Sequence, residues 1–232
     1  VLDEFQVDQF KAGLQGDNLD LINPSKVWVR KSGDDYLVFD AVFHRSADGF
    51  LVLELEPAQT NETIPFLSFY HLAKASIGQL SATANLHAFG EIVVGEVRKV
   101  TGFDRVMLYK FDEDGHGEVI AEAKLPEMES YFGLHFPESD IPQPARKMFL
   151  SNWIRVIPNA RDEAVELVPS KNPLTDRPTD LTHSILRSAF PCHTEYLHNM
   201  GVGASLTISL IKDGHLWGII ACHHQTPKLV PY

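Results

Sequence analysis

The chain holds two cysteines, each followed directly by histidine: Cys192–His193 in RSAFPCHTEYLHNMG and Cys222–His223–His224 in LWGIIACHH. A thiol beside an imidazole could ligate zinc, work as nucleophile and base, carry a group covalently, or fill a core. Zinc fits poorly. Neighbours on a strand point to opposite faces, so Cys222 and His223 do not reach one ion, and the paired short spacings of a zinc module are absent. Cys192 is better placed as a nucleophile, because the start of a helix favours a thiolate by about 0.3–1 kcal/mol. Such chemistry also needs an oriented base within hydrogen-bond reach, and nothing in the spacing selects one of the 11 histidines. Cys222, among Ile219, Ile220 and Ala221, reads as a small buried hydrophobe. For Cys192, beside Pro191, the residues alone leave attachment point, nucleophile and core position open.

These groups need elements to hold them. Residues 26–56 read as short strands: KVWVR, DYLVFDAVF and GFLVLELE are rich in β-branched and aromatic residues and are separated by the turns SGDD and SADG. From Pro65 the period changes, and Phe66, Phe69, Tyr70, Ala73, Ile77 and Leu80 predict an amphipathic helix. A second helix is predicted over about 85–100, with Leu86, Phe89, Val93 and Val97 inward and Gly102 at its end. FDRVMLYKF and EVIAEAK read as strands joined through DEDGHG, a turn that lacks the alternating oxygen ligands of a calcium loop. In FPESDIPQPARKMFL, prolines 137, 142 and 144 predict a rigid loop and then a helix starting near Pro144. Residues 158–180 read as a long excursion, 191–200 as a helix closed by Gly201, and the remainder as a hairpin.

Composition bounds the function. With 232 residues, 44% of them hydrophobic, the chain can fill one large or two modest cores. A formal net charge of −11 argues against a broad nucleic-acid surface. Two cysteines outside any CxxC pair imply a reducing, cytoplasmic setting. The opening VLDEFQVDQF does not read as a signal peptide, and no apolar run approaches the ~20 residues of a membrane span. Both ends look cut, as expected for a piece of a longer chain.

ESDIPQPAR, LRSAFPCHTEYLHNMGVGASL and LWGIIACHHQ, in that order, resemble the chromophore-binding GAF domain of phytochromes, of the cyanobacterial type. Residues 1–58 resemble the later part of the PAS domain that precedes it. The resemblance implies an α+β fold: a partial PAS domain over 1–58 with an antiparallel sheet, a connecting helix region over 59–84, and a bilin-binding GAF domain over 85–232. It further implies a red/far-red photoreceptor fragment and not an enzyme. Light would isomerise a linear tetrapyrrole, and the change would pass through a PHY domain to a histidine kinase and its response regulator, in a homodimer. Cys192 would form the thioether to the pigment, phycocyanobilin ahead of phytochromobilin or biliverdin. Arg155 and Arg187 would bind one propionate, and Ser205 and Thr207 the other. Tyr109, Phe136 and Tyr196 would wall the D ring, with His223 bonded to its carbonyl and His193 over the central pyrroles. Asp140, Ile141 and Pro142 would line the pigment, the Asp140 carbonyl facing its N–H groups and the Asp140 side chain reaching a later domain. Phe136 stands where many relatives carry tyrosine. The rival readings are a GAF domain sensing a diffusible small molecule and a cysteine-dependent enzyme.

One geometric expectation tests these assignments. Ser205, Thr207 and His223 must share a face of the final hairpin. A two-residue turn at Asp213–Gly214 would set Thr207 against Ile220 and split them. A three-residue turn, Lys212–Asp213–Gly214, would set Thr207 against Ile219 and unite them, with Gly214 at positive φ.

Overall fold

The computed structural model describes residues 4–14, 19, 22–32, 35–58 and 85–230. The helix expected from Pro65 and the connecting region 59–84 lie outside the described residues. The rest forms two compact units: residues up to 58 together with 165–188, and residues 85–164 together with 189–230.

In the first unit, helix α1 (Glu4–Leu14) accompanies three antiparallel strands, β1 (Ser25–Ser32), β2 (Asp35–Arg45) and β3 (Leu51–Pro57), in the order β1-β2-β3. Alternation places Val27, Ala41 and Phe43 on one face, where they bury with Phe10, whose ring lies 4.9 Å from that of Phe43. Segment 165–188 joins this unit through polar anchors. The Glu54 carboxylate accepts the backbone N–H of Ile185 (2.8 Å) and Leu186 (2.7 Å), and Asp180 accepts that of Ala47 (2.9 Å). Ser184 Oγ lies 3.3 Å from His44 Nε2. The proline-rich excursion thus has strand side chains satisfying backbone donors that a sheet would otherwise serve.

The second unit is built on a six-stranded antiparallel sheet in the order β6-β5-β4-β9-β8-β7. Its strands are β4 (Arg105–Phe111), β5 (Gly117–Lys124), β6 (His135–Phe136), β7 (Ile154–Ile157), β8 (Ala204–Lys212) and β9 (His215–His224). Helices α2 (Leu86–Thr101), α3 (Gln143–Ser151) and α4 (Pro191–Asn199) complete it. This is the α+β architecture expected from the sequence.

Helix α2 is set by its ends. Asn85 accepts the Ala88 N–H at 2.9 Å, and Gly102, at φ 64°, returns its N–H to the Arg98 carbonyl. Its buried face differs from the expected one: Gly90 and Val94 are buried, Val93 and Val97 pack at the margin, and Leu86 and Phe89 are exposed. The helix approaches the sheet at Gly90, where a Cβ would lie 3.0 Å from both Ala121 Cβ and Leu108 Cδ2. Val106, Leu108, Leu206, Ile220 and Cys222 form the sheet side of this core. Cys222 is therefore a core residue, and burial pushes its thiol up to about 12.

The hairpin β8–β9 turns in two residues, not three: Lys212 pairs with His215, and Asp213 and Gly214 stand at φ 52° and 76°. Two left-handed residues match the twist of a tight hairpin, so the loop-length expectation was wrong while positive φ at Gly214 holds. A register shift past Leu210 then changes the parity. Ile211 faces Leu216 but Leu210 faces Gly218, which leaves Trp217 as the extra residue of a β-bulge. Beyond the bulge Thr207 faces Ala221 and Ser205 faces His223. The three expected site residues share one face by a different device.

Candidate ligand pocket

Cross-strand partners lie on one face, so the ladders define a row opposite α2. Arg105 pairs with His223, Met107 with Ala221 and Tyr109 with Ile219. Ser205 and Thr207 continue the row through His223 and Ala221, and Arg155 on β7 pairs with Thr207. A second register shift, between Leu108 and Tyr109, lets Ala121 face α2 while Val119 joins the pocket row.

Over this face lies a cavity of about 820 Å³, counted out to its open mouth. Met107, Tyr109, Val119, Ile219 and Ala221 line it from the sheet, Phe149 from α3, His193, Tyr196 and Leu197 from α4, and Met200 from the C-cap of α4. Phe136 from β6, Asp140 from the Glu138–Asp140 turn, and Tyr131 and Ile141 from loops complete the lining. The polar side chains are few: Ser205, Thr207 and His223 are buried, and Asp140, His193 and Tyr196 face in from the exposed side.

The electrostatics fix protonation states. Burial pushes His223 down to about 4, with the Arg105 and His193 charges adding to it, so its ring is neutral at ordinary pH. Its Nδ1 is buried without a hydrogen-bond partner among the described residues, which is a costly state. Burial, then the Arg155 guanidinium, also lowers His193, although its side chain stays open to the cavity mouth. Burial raises both Tyr109 and Tyr196 to about 12, and both phenols stay protonated. Tyr196 Oη donates to Asp140 Oδ2 at 3.2 Å.

Two arginines hold the rim. Arg146 Nε donates to the Ile141 carbonyl at 2.7 Å, its NH2 donates to the Gly115 carbonyl, and its guanidinium lies 4.4 Å from the Phe111 ring centre. It thereby pins the Glu138–Asp140 turn and Ile141 to the β4–β5 hairpin. Arg105 and Glu122 are buried as a pair, Nε to Oε1 3.0 Å, and the Arg105 guanidinium stacks 3.6 Å from the Tyr131 ring centre. Glu122 also accepts the Tyr131 N–H at 3.0 Å and the Ser130 hydroxyl at 2.6 Å.

Of the expected site residues, Tyr109, Phe136, Asp140, Ile141, His193, Tyr196, Ser205, Thr207 and His223 line the cavity. Cys192 lies outside the lining, exposed in the first turn of α4. Pro142 is the N-cap of α3, and Arg155 sits on β7 next to the lining residue Thr207. Arg187 belongs to the first unit, where it donates to the Leu181 carbonyl at 3.1 Å and to that of Thr182.

A family model described as the GAF domain matches residues 85–232, and one described as the PAS fold matches residues 1–58. Cyanobacterial phytochrome A of Nostoc sp. is 69% identical over the whole chain, and phytochrome-like protein Cph1 of Synechocystis sp. is 61% identical. Among solved structures, the chromophore-binding domain of Stigmatella aurantiaca phytochrome P1 superposes with a TM-score of 0.90 at 42% identity, covering all of this chain and 75% of that one. The chain belongs to the phytochrome family. It spans 30% of the length of the Nostoc relative and 31% of the Synechocystis one.

Within this phytochrome pocket, sequence reasoning passed over Met107, Tyr131, Phe149 and Met200, and the Arg105–Glu122 pair beside it. Both strands carry further charges, Lys110 in RVMLYKF and Glu118 and Lys124 in GEVIAEAK, so nothing in the sequence singled out the pair.

Proposed function

We propose that the pocket holds a linear tetrapyrrole attached through Cys192, and that this chain is the PAS–GAF part (1–58 and 85–232, joined by 59–84) of a red/far-red photoreceptor. The observation that carries this reading is the largely apolar cavity lined by the buried side chains of Ser205, Thr207 and His223. The group fits. A bilin is a flat, largely apolar body with a few polar atoms, and the cavity lining is likewise mostly apolar and aromatic with a few polar side chains. When bound, the pigment supplies visible absorption and a double bond between its C and D rings that light isomerises.

The chain's own residues bind, orient and shield. His223, neutral, offers a ring N–H as donor to the D-ring carbonyl. Ser205 and Thr207 offer hydroxyls from the same face to a propionate. Arg155 and Arg187, carried over from the family motif, supply guanidinium partners suited to carboxylate. Tyr109, Phe136 and Tyr196 exclude water at the aromatic end, and Phe136 brings no hydroxyl there. Asp140 accepts from Tyr196 inside the pocket, and the backbone around it is held by Arg146. Any shift of the pigment against Asp140 and Tyr196 is therefore felt at the rim. The cyanobacterial relatives support phycocyanobilin as the pigment. A PHY domain, a histidine kinase with its response regulator, dimerisation and a cytoplasmic setting are proposed for the parent protein.

Mixing the chain with phycocyanobilin, denaturing it and weighing it tests the attachment. The wild type and Cys222→Ala gain the pigment mass and give a red-fluorescent band with zinc, while Cys192→Ala does not. Full adduct on Cys192→Ala would overturn the assignment. No adduct on any of the three would favour a sensor of a diffusible ligand.

A further inference from the structure

We propose that Gly117 is the positioning residue that seats Tyr109 against the sheet and so sets the depth of the aromatic end of the pocket. The proposal deepens the tetrapyrrole reading and rests on it for its ligand. Gly117 opens β5, and the ladder sets Phe111 against Gly117 and Tyr109 against Val119. The Tyr109 side chain therefore runs diagonally across the strand pair and lies over the bare Cα of Gly117. A methyl built on Gly117 has Tyr109 Cε1, Cζ and Oη as its three nearest atoms, all well inside the 3.0 Å that real Cβ atoms respect.

Backbone conformation does not explain the glycine. Gly117 is a strand residue and is absent from the positive-φ glycines Gly49, Gly102, Gly115, Gly133, Gly201 and Gly214. An alanine would suit its backbone, so the requirement is for space alone. The ring also has little freedom to give way sideways. Phe111 holds it edge-on at 5.2 Å between centroids, the tilted Phe136 ring lies 6.0 Å away, and Tyr109 is otherwise buried. The direction left to it is the cavity that it lines. A side chain at 117 thus acts on the ligand without touching it, by pushing the phenol into the space of the pigment's terminal ring. A dense interior transmits one added methyl in this way.

Four proteins test this: the wild type, Gly117→Ala, Tyr109→Ala and the double variant, each mixed with phycocyanobilin. The expected result is covalent uptake slowed about tenfold or more in Gly117→Ala, with a displaced absorption maximum. In the double variant, rate and maximum return to those of Tyr109→Ala, because removing the ring removes the clash. Gly117→Ala indistinguishable from wild type overturns the proposal, as does a double variant slower than Tyr109→Ala. Thermal melting of the pigment-free proteins decides the same point separately, with a midpoint lowered in Gly117→Ala relative to wild type but not in the double variant relative to Tyr109→Ala. If the wild type takes up no pigment, the tetrapyrrole reading falls. The melting comparison then still upholds or rejects the seating of Tyr109.

Discussion

Acidification should destabilise this chain through His223, by an amount the structure sets. Burial above all, then the Arg105 charge and His193, brings the ring from 6.5 to about 4. Above pH 6.5 the imidazole is neutral in both the folded and the unfolded chain, and its stabilising share is complete. As pH falls from there toward 4, the unfolded ring takes a proton that the folded ring refuses, and folding loses about 1.4 kcal/mol per pH unit. The loss is about 2 kcal/mol at pH ~5 and about 3 kcal/mol near pH ~4. Urea denaturation of pigment-free wild type and His223→Gln across pH ~7 to ~5 isolates this share, since the other titrating groups are common to both. Wild type should lose about 2 kcal/mol more than the variant. Parallel loss in the two proteins would refute the argument from burial.

Two further outcomes follow from the sheet. Glu122→Ala strands the buried Arg105 guanidinium and takes away the acceptor of the Tyr131 N–H, so urea denaturation should show a loss of about 3–5 kcal/mol, with Glu122→Gln costing less. Gly214→Ala places a Cβ at φ 76° in the hairpin turn; it should cost about 1–2 kcal/mol in thermal or urea unfolding and leave pigment uptake unchanged, because the turn lies outside the cavity lining.

The apolar strands of both sheets were legible because β-branched runs bounded by turns allow few other structures. The pocket face was legible only through parity. Ser205, Thr207 and His223 share it, but through a bulge at Trp217, and no residue in ISLIKDGHLWG marks a bulge as opposed to a longer loop. Strand β7 escaped notice because four residues carry too little periodicity, although it places Arg155. On α2, the 3.6-residue period marked Phe89 as inward, but close approach at Gly90 moved the buried stripe to Gly90 and Val94. The anchors of segment 165–188 were beyond reach for another reason. Glu54 reads as an exposed strand charge until its carboxylate is seen to accept the amides of Ile185 and Leu186, about 130 positions along the chain. Cys222 was the easier cysteine, since an apolar strand implies burial. The chemistry of Cys192 was legible only through the motifs around it.

The most direct test is an absorption difference spectrum of the chain assembled with phycocyanobilin, taken before and after red light. A photoreceptor pocket predicts a red-absorbing band that red illumination diminishes, with a new band at another wavelength, on wild type and Cys222→Ala alike. A bound pigment whose spectrum red light leaves unchanged would contradict the account.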